Sequence, residues 1–173
     1  MLSYFLYTRG VMTTFFANKK NYQDKKWQVV DARGQVVGRL ATQISRILSG
    51  KNKTDFTPNV ETGDGVIVIN AKDVIVTGNK VKDKIYKNFS GYPSGQRERT
   101  YERVMKEDPT YILKHAVKGM LPKSRLGKRM ITRLLVYVGN EHPHSAQKPK
   151  VRDLKGKKTV YVNTPNQKIH SPP

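Results

Sequence analysis

The run VIVI at Val66–Ile69 is apolar at four successive positions, and it narrows the possible folds more than any other feature of the chain. A strand with one wet face alternates apolar and polar residues, so an unbroken run asks for cover on both faces. Upstream, Trp27, Val29 and Val30 make a β-rich stretch, and Ala32–Gln35 with Gly34 turns the chain. Leu40, Ile44, Ile47 and Leu48 then recur at three- and four-residue spacing, with Arg39 and Arg46 elsewhere on the circumference. That is an amphipathic helix, and Gly50 ends it in the usual way. Strand, helix and buried strand in this order form a parallel βαβ unit, so the first half is α/β.

The loop KNKTDFTPNVETGDG joins helix to buried strand and is punctuated by Pro58, Gly63 and Gly65. A second apolar stretch, VIVTG at Val74–Gly78, follows. Beyond Lys80 the chain turns basic and aromatic, and Gly and Pro break any long element. Helices are predicted from about Thr100 to Lys106, from Pro109 to Met120 and from Gly127 to about Arg133. Ile112, Leu113, Ala116, Val117 and Met120 give the second of these its apolar face. LLVYVG at Leu134–Gly139 reads as a strand. After Gly139 the composition becomes polar and rich in Pro, Lys and Asn, and the last twenty or so residues read as an extended tail. The 173 residues fit one domain at 23–150, with an N-terminal extension at 1–22 and a basic tail at 151–173. There is no internal repeat.

Charge sets the function class. Hydrophobic residues make up 36% of the chain, below the roughly 45% typical of soluble domains, so the core is modest. Thirty-three Lys and Arg against thirteen Asp and Glu give +20. Folding gains nothing from that imbalance, but a polyanion would neutralise it. The excess is spread out: 8 basic and 2 acidic residues in 1–50, 9 and 6 in 51–100, 11 and 4 in 101–150, and 5 and 1 in 151–173. A DNA-reading module concentrates its charge on one helix or arm, whereas this distribution suits several phosphate backbones and favours RNA. The absence of cysteine excludes disulfides, cysteine zinc ligands and thiol catalysis. No apolar run approaches the roughly 20 residues that span a bilayer. The opening MLSYFLYTRGVM lacks the basic start of a secretory signal. A start at Met12 and an organellar leader both stay open for it.

The stretch KHAVKGMLPKSRLGKRMITR holds Lys114, Lys118, Lys123, Arg125, Lys128, Arg129 and Arg133 without one acidic residue. Its hydrophobic residues keep helical spacing, so one side packs while the other carries uncompensated charge. Gly119, Pro122 and Gly127 interrupt it and let the backbone approach a partner. Lysine offers phosphate a point charge and arginine a chelating fork. A merely solvated basic face is the plainer reading, and the overall charge argues against it. Between Lys80 and Arg99, the residues Lys80, Lys82, Lys84 and Lys87 surround Tyr86 and Phe89, with Tyr92, Arg97 and Arg99 beyond. RNA-binding surfaces combine these types for backbone contact and base stacking. For the two rings, burial in an ordinary strand is the plainer reading, while the lysines need no stacking to bind phosphate. Arg46, Lys51 and Lys53, at the end of the first helix, serve either phosphate or the helix dipole. Glu141, His142 and His144 in NEHPHSAQ could bind metal or move protons, but Pro143 keeps both imidazoles off one helical face. GDGVIV matches no phosphate loop, and nothing pairs a nucleophile with a base. A messenger-RNA regulator and a metal-dependent hydrolase at His142 and His144 are the alternatives.

From about Trp27 to Pro149 the segments WQVVDARGQVVGRLATQISRILSGKNKTDFTPNVETGDGVIVINAKDVIVTGNK, AVKGMLPKSRLGKRM and LLVYVGNEHPHSAQKP resemble the L-thirteen family of large-subunit ribosomal proteins, and the NEHPHSAQ ending resembles its bacterial and organellar branch. The resemblance implies a three-layer α/β/α core with a mostly parallel four-stranded sheet, flanked here by extended basic N- and C-terminal segments. It implies a non-catalytic protein without cofactor, membrane or small-molecule substrate. Its partners would be large-subunit rRNA (23S-type) and neighbouring ribosomal proteins, in a bacterial cytoplasmic ribosome or else a mitochondrial or plastid one. It adds a role early in subunit assembly. By matching positions it turns Lys118, Lys123, Arg125, Lys128 and Arg129 to RNA, with Lys51, Lys53 and Lys80 as similar candidates. His142 and His144 fall in an RNA-facing or structural loop. The two ends depart from the family's pattern, and the tail is expected to reach further RNA or a neighbouring protein.

Overall fold

The β-rich stretch at Trp27 and the buried VIVI run lie side by side. In the computed structural model, which describes residue 17 and residues 25–154, β1 (Trp27–Asp31) pairs in parallel with β2 (Gly65–Ile69), matching Val29 with Ile67 and Val30 with Val68. β5 (Leu134–Val136) adds to the far side of β2 and β6 (Lys150–Val151) to the far side of β1, both in parallel. The sheet order is β5-β2-β1-β6. The fold is therefore α/β, a four-stranded parallel sheet with helices packed on it. The expected boundary at 150 falls inside β6. The chain holds to the sheet through Arg152, whose N–H donates to the Val29 carbonyl, and buries Leu154 in the core. The 1–22 extension and the tail beyond Leu154 lie outside the described residues.

α1 (Val37–Ser49) joins β1 to β2 and lays Leu40, Ala41, Ile44, Ile47 and Leu48 on Val30, Val66 and Val68. Each fully buried Leu or Ile there contributes about 1.5–3 kcal/mol of transfer free energy. Gly50 closes α1 in the left-handed region at φ 80°, with its N–H on the Arg46 and Ile47 carbonyls. The Thr62–Asp64 segment folds directly onto that helix end. Asp64 N–H donates to the Ile47 carbonyl, and a Cβ on Gly63 would sit 1.9 Å from the Leu48 carbonyl oxygen.

α2 (Lys80–Asp83) leads into a hairpin of β3 (Ile85–Phe89) and β4 (Gln96–Thr100), followed by α3 (Tyr101–Glu107), α4 (Pro109–Met120) and α5 (Arg125–Thr132). α4 bridges two cores. Leu113 and Val117 join the main one, and Ile112 joins a second made with Val37, Tyr86, Tyr101 and Val104. The hairpin has no signal in the sequence, because QRERT carries no apolar alternation. VIVTG supplies only one bridge, Val36 to Ile75. The strand expected to reach Gly139 stops at Val136. Beyond it the Tyr137 and Gly139 carbonyls accept from Ala71 and Asn70, in a turn where Asn70 is left-handed.

Candidate nucleic-acid interface

The basic stretch from Lys114 to Arg133 folds as helix, corner and helix. Asp108 caps α4 by accepting from Thr110 N–H, and Pro109 fills the first helical position, where its missing donor costs nothing. The corner is pinned from below by Leu121 and Met130, both buried. Ser124 caps α5 through Gly127 N–H, and Gly127 is glycine for want of space: a Cβ there would lie 1.8 Å from the Pro122 carbonyl oxygen. With Leu121 and Met130 turned inward, Lys118, Lys123, Arg125, Lys128 and Arg129 are all exposed. Among the described residues none of the five enters an ion pair.

This corner faces the end of α1 across a groove of about 870 Å³. Arg46, Lys51, Phe56 and Pro58 line one side; Met120, Leu121, Pro122 and Met130 line the other. Arg46 and Lys51, exposed and without ion pairs among the described residues, thus share one surface with the α4–α5 corner. Phe56 and Met120 are 37% and 45% exposed in that groove, and they were not among the expected site residues. Phe56 between Lys51 and Pro58 carried a signal, a ring beside basic residues in a loop. Met120 belongs by its spacing to the apolar face of α4, which points to helix core.

Two other expected cations are committed elsewhere. Lys53 pairs with Asp64 at 2.6 Å and donates to the Thr62 carbonyl at 2.8 Å. Gln28 donates to the other Asp64 oxygen at 2.9 Å, which holds the carboxylate from both ends. Arg133, expected to face a partner, is mostly buried: its side chain is 12% exposed, donates to the Gly63 carbonyl at 3.1 Å and lies 3.9 Å from Glu61. Burial draws the Arg133 pKa down, and the Glu61 and Asp64 charges oppose that. Lys25, which donates to the Glu61 carbonyl, is likewise lowered, by burial first and then by Arg133. These groups fasten the Glu61–Asp64 segment to the end of α1 and the start of β5.

The Lys80–Lys87 group divides as well. Lys80 and Lys82 are exposed on α2. Lys84 lies 5.4 Å over the Tyr86 ring, and Lys87 pairs with Glu98 across the hairpin at 2.8 Å. Tyr86 is not available to stack on a base. It is 6% exposed, edge-on to Tyr111 and His115, and burial pushes its phenol up to about 12. Its strand neighbour Phe89 is 71% exposed, because alternation along β3 sends the two rings to opposite faces.

The family model described as ribosomal protein L13 matches residues 25–143. The chain belongs to the ribosomal protein L13 family. It is 56% identical over 130 residues to the large ribosomal subunit protein uL13 of a Thermoanaerobacter species, covering 75% of this chain and 91% of that protein. The uL13 proteins of Desulfitobacterium hafniense and Bacillus cereus are 54% identical over 140 residues and 51% over 145. Those matches cover 81% and 84% of this chain and 97% and 100% of the relatives. As a member of this family the chain is a ribosomal protein and not an enzyme.

Within this L13-family domain the two histidines of the NEHPHSAQ loop act on each other and on the sheet. The His144 ring nitrogen Nε2 shares a hydrogen bond with the Tyr137 hydroxyl at 2.6 Å, and the ring stacks on Trp27 with 6.2 Å between centroids. His144 N–H donates to His142 Nδ1 at 3.3 Å. No group of three or more potential metal ligands comes together among the described residues.

Proposed function

We propose that this chain is a structural constituent of the large ribosomal subunit, binding large-subunit rRNA through its basic surface and supporting early assembly. One observation carries the reading. Seven cations stand exposed without ion pairs among the described residues: Arg46 and Lys51 on the groove, and Lys118, Lys123, Arg125, Lys128 and Arg129 along the α4–α5 segment whose corner forms its other wall. A protein gains no stability from gathering like charges, so this arrangement makes sense against a polyanion. Exposed Lys80 and Lys82 extend the basic surface to the hairpin side, and His142 and His144 serve to hold their loop.

The mechanism is electrostatic. Each phosphate neutralised releases condensed counterions, so log affinity falls with log salt by about 0.7 to 0.9 per contact. Recognition is of RNA shape and backbone more than of base sequence. Neighbouring ribosomal proteins and a bacterial cytoplasmic ribosome complete the reading, in keeping with the bacterial relatives. The tail beyond Leu154, with its basic excess, is proposed to reach further RNA or a neighbouring protein.

The test is sedimentation of the tagged chain from a cell lysate through a sucrose gradient, at moderate and at high salt and after RNase treatment. Migration with the large subunit, lost on RNA digestion or at high salt, is the expected result. A chain that stays at the top of the gradient under all three conditions rules the reading out.

A further inference from the structure

The groove at the end of α1 has a property that phosphate binding does not use: much of its lining is apolar. Phe56, Pro58, Met120 and Pro122 border it above the buried Leu121 and Met130, while Arg46 and Lys51 stand on its side. A surface that met only phosphates would gain nothing from leaving a phenyl ring and a thioether open to water. Paired RNA has no apolar face to offer them, since its bases are stacked on one another. An unpaired base does, because its ring faces are bare once it leaves the stack. Its ribose stays tied to two phosphates, and those need cations within a side chain's reach of the seat. Ring and cation are both present here.

We propose that this groove seats a single unstacked RNA base against Phe56 and Met120, with its flanking phosphates held by Arg46 and Lys51. The inference rests on the reading of the surrounding surface as rRNA-binding. Charge complementarity selects the occupant: a lining with two cations and no carboxylate suits a nucleotide better than an apolar peptide. The polar side of the groove is compatible. Ser45 donates its hydroxyl hydrogen to the Thr42 carbonyl at 2.9 Å and so presents acceptor lone pairs to a base edge, while the Thr42 hydroxyl, 2.9 Å from the Gly38 carbonyl, lies 3.5 Å from the Met120 sulfur and holds that wall in place.

The full chain would be mixed with a large-subunit rRNA transcript, irradiated with short-wave ultraviolet light and digested. That treatment joins side chains to bases, not to phosphates. A nucleotide on the peptide carrying Phe56 or Met120 is the expected product. Phe56→Leu keeps an apolar side chain and removes the π-face, and should weaken binding about tenfold. Its salt dependence should be unchanged, since no charge is lost. Met120→Ala, on the other wall, serves as the independent variant, and an unchanged unfolding midpoint certifies each fold. Salt-dependent binding with no cross-link in the groove, and with both variants neutral, would overturn the base seat and leave the basic surface standing. Cross-linking of the groove to a neighbouring protein in assembled subunits would overturn it too. If the transcript showed no salt-dependent binding at all, the surface reading would fail and the seat with it.

Discussion

Lys51 and Lys53 are two residues apart in one loop, and the fold puts them to opposite uses. Lys53 reaches back to Asp64 and the Thr62 carbonyl, and with Arg133 on Gly63 it fastens the Glu61–Asp64 segment. Lys51 stands on the groove with Arg46 and has no ion pair among the described residues. The same contrast separates Arg133, mostly buried, from Arg129 one helical turn earlier, which is exposed. Residue type does not decide which cation binds a partner and which binds the protein. What decides is whether a carboxylate or carbonyl lies within reach once the chain is folded. A basic protein of this kind therefore has two populations of charge, one internal and structural, the other open to a polyanion.

Separating the populations by mutation should give opposite signatures. Arg133→Met removes the partner of the Gly63 carbonyl and of Glu61 in a region shielded from water. It should cost about 3 to 5 kcal/mol of stability, measured by denaturant unfolding. An unmoved midpoint would show that Arg133 fastens nothing. Tyr86 and Phe89 test the same distinction for rings. Tyr86→Ala opens a cavity against Tyr111 and His115 and should cost about 3 kcal/mol. Phe89→Ala, on the exposed face, should stay within about 0.5 kcal/mol. Comparable losses from the two would mean that the hairpin packs differently. Replacing Arg125, Lys128 and Arg129 together by Gln should leave stability within about 0.5 kcal/mol. The salt dependence of rRNA binding should then fall by roughly 2 to 3 in log–log slope. An unchanged slope would place the RNA contacts elsewhere.

Much of this was legible in the chain itself. The VIVI run, the three- and four-residue spacing of α1 and the position of Gly50 report local physics, and they sufficed for the parallel pairing of β1 and β2. α4 occupies Pro109–Met120 as the apolar face and the proline at its start require. What stayed hidden depends on distant partners. The fates of Lys53 and Arg133 are set by Asp64, Glu61 and Gly63, eleven to seventy-two positions away. QRERT becomes a strand because IYKNF pairs with it, not through any pattern of its own. The groove joins Phe56 to Met120, and neither residue marks the other in sequence.

The smallest effect concerns protons at Tyr86. Burial raises its phenol from 10.0 to about 12, with the nearby Tyr101 and Tyr111 acting in the same direction. A raised folded pKa means that the neutral form is the one the fold accommodates. Below pH 10 both folded and unfolded chains hold the proton, and this contribution is present in full. As pH rises from 10 toward 12 the unfolded chain releases the proton while the folded chain keeps it, so stability falls across that window. Absorbance titration of the native protein should show a late phenol near 12, and Tyr86→Phe should remove that step and flatten the alkaline loss of stability. Burial raises Tyr101 as well, so the deciding result is the loss of one late phenol in the variant; an unchanged titration would show that Tyr86 is not shielded from water. The second core, built on Tyr86, would then be looser than the packing of Tyr111 and His115 around it requires.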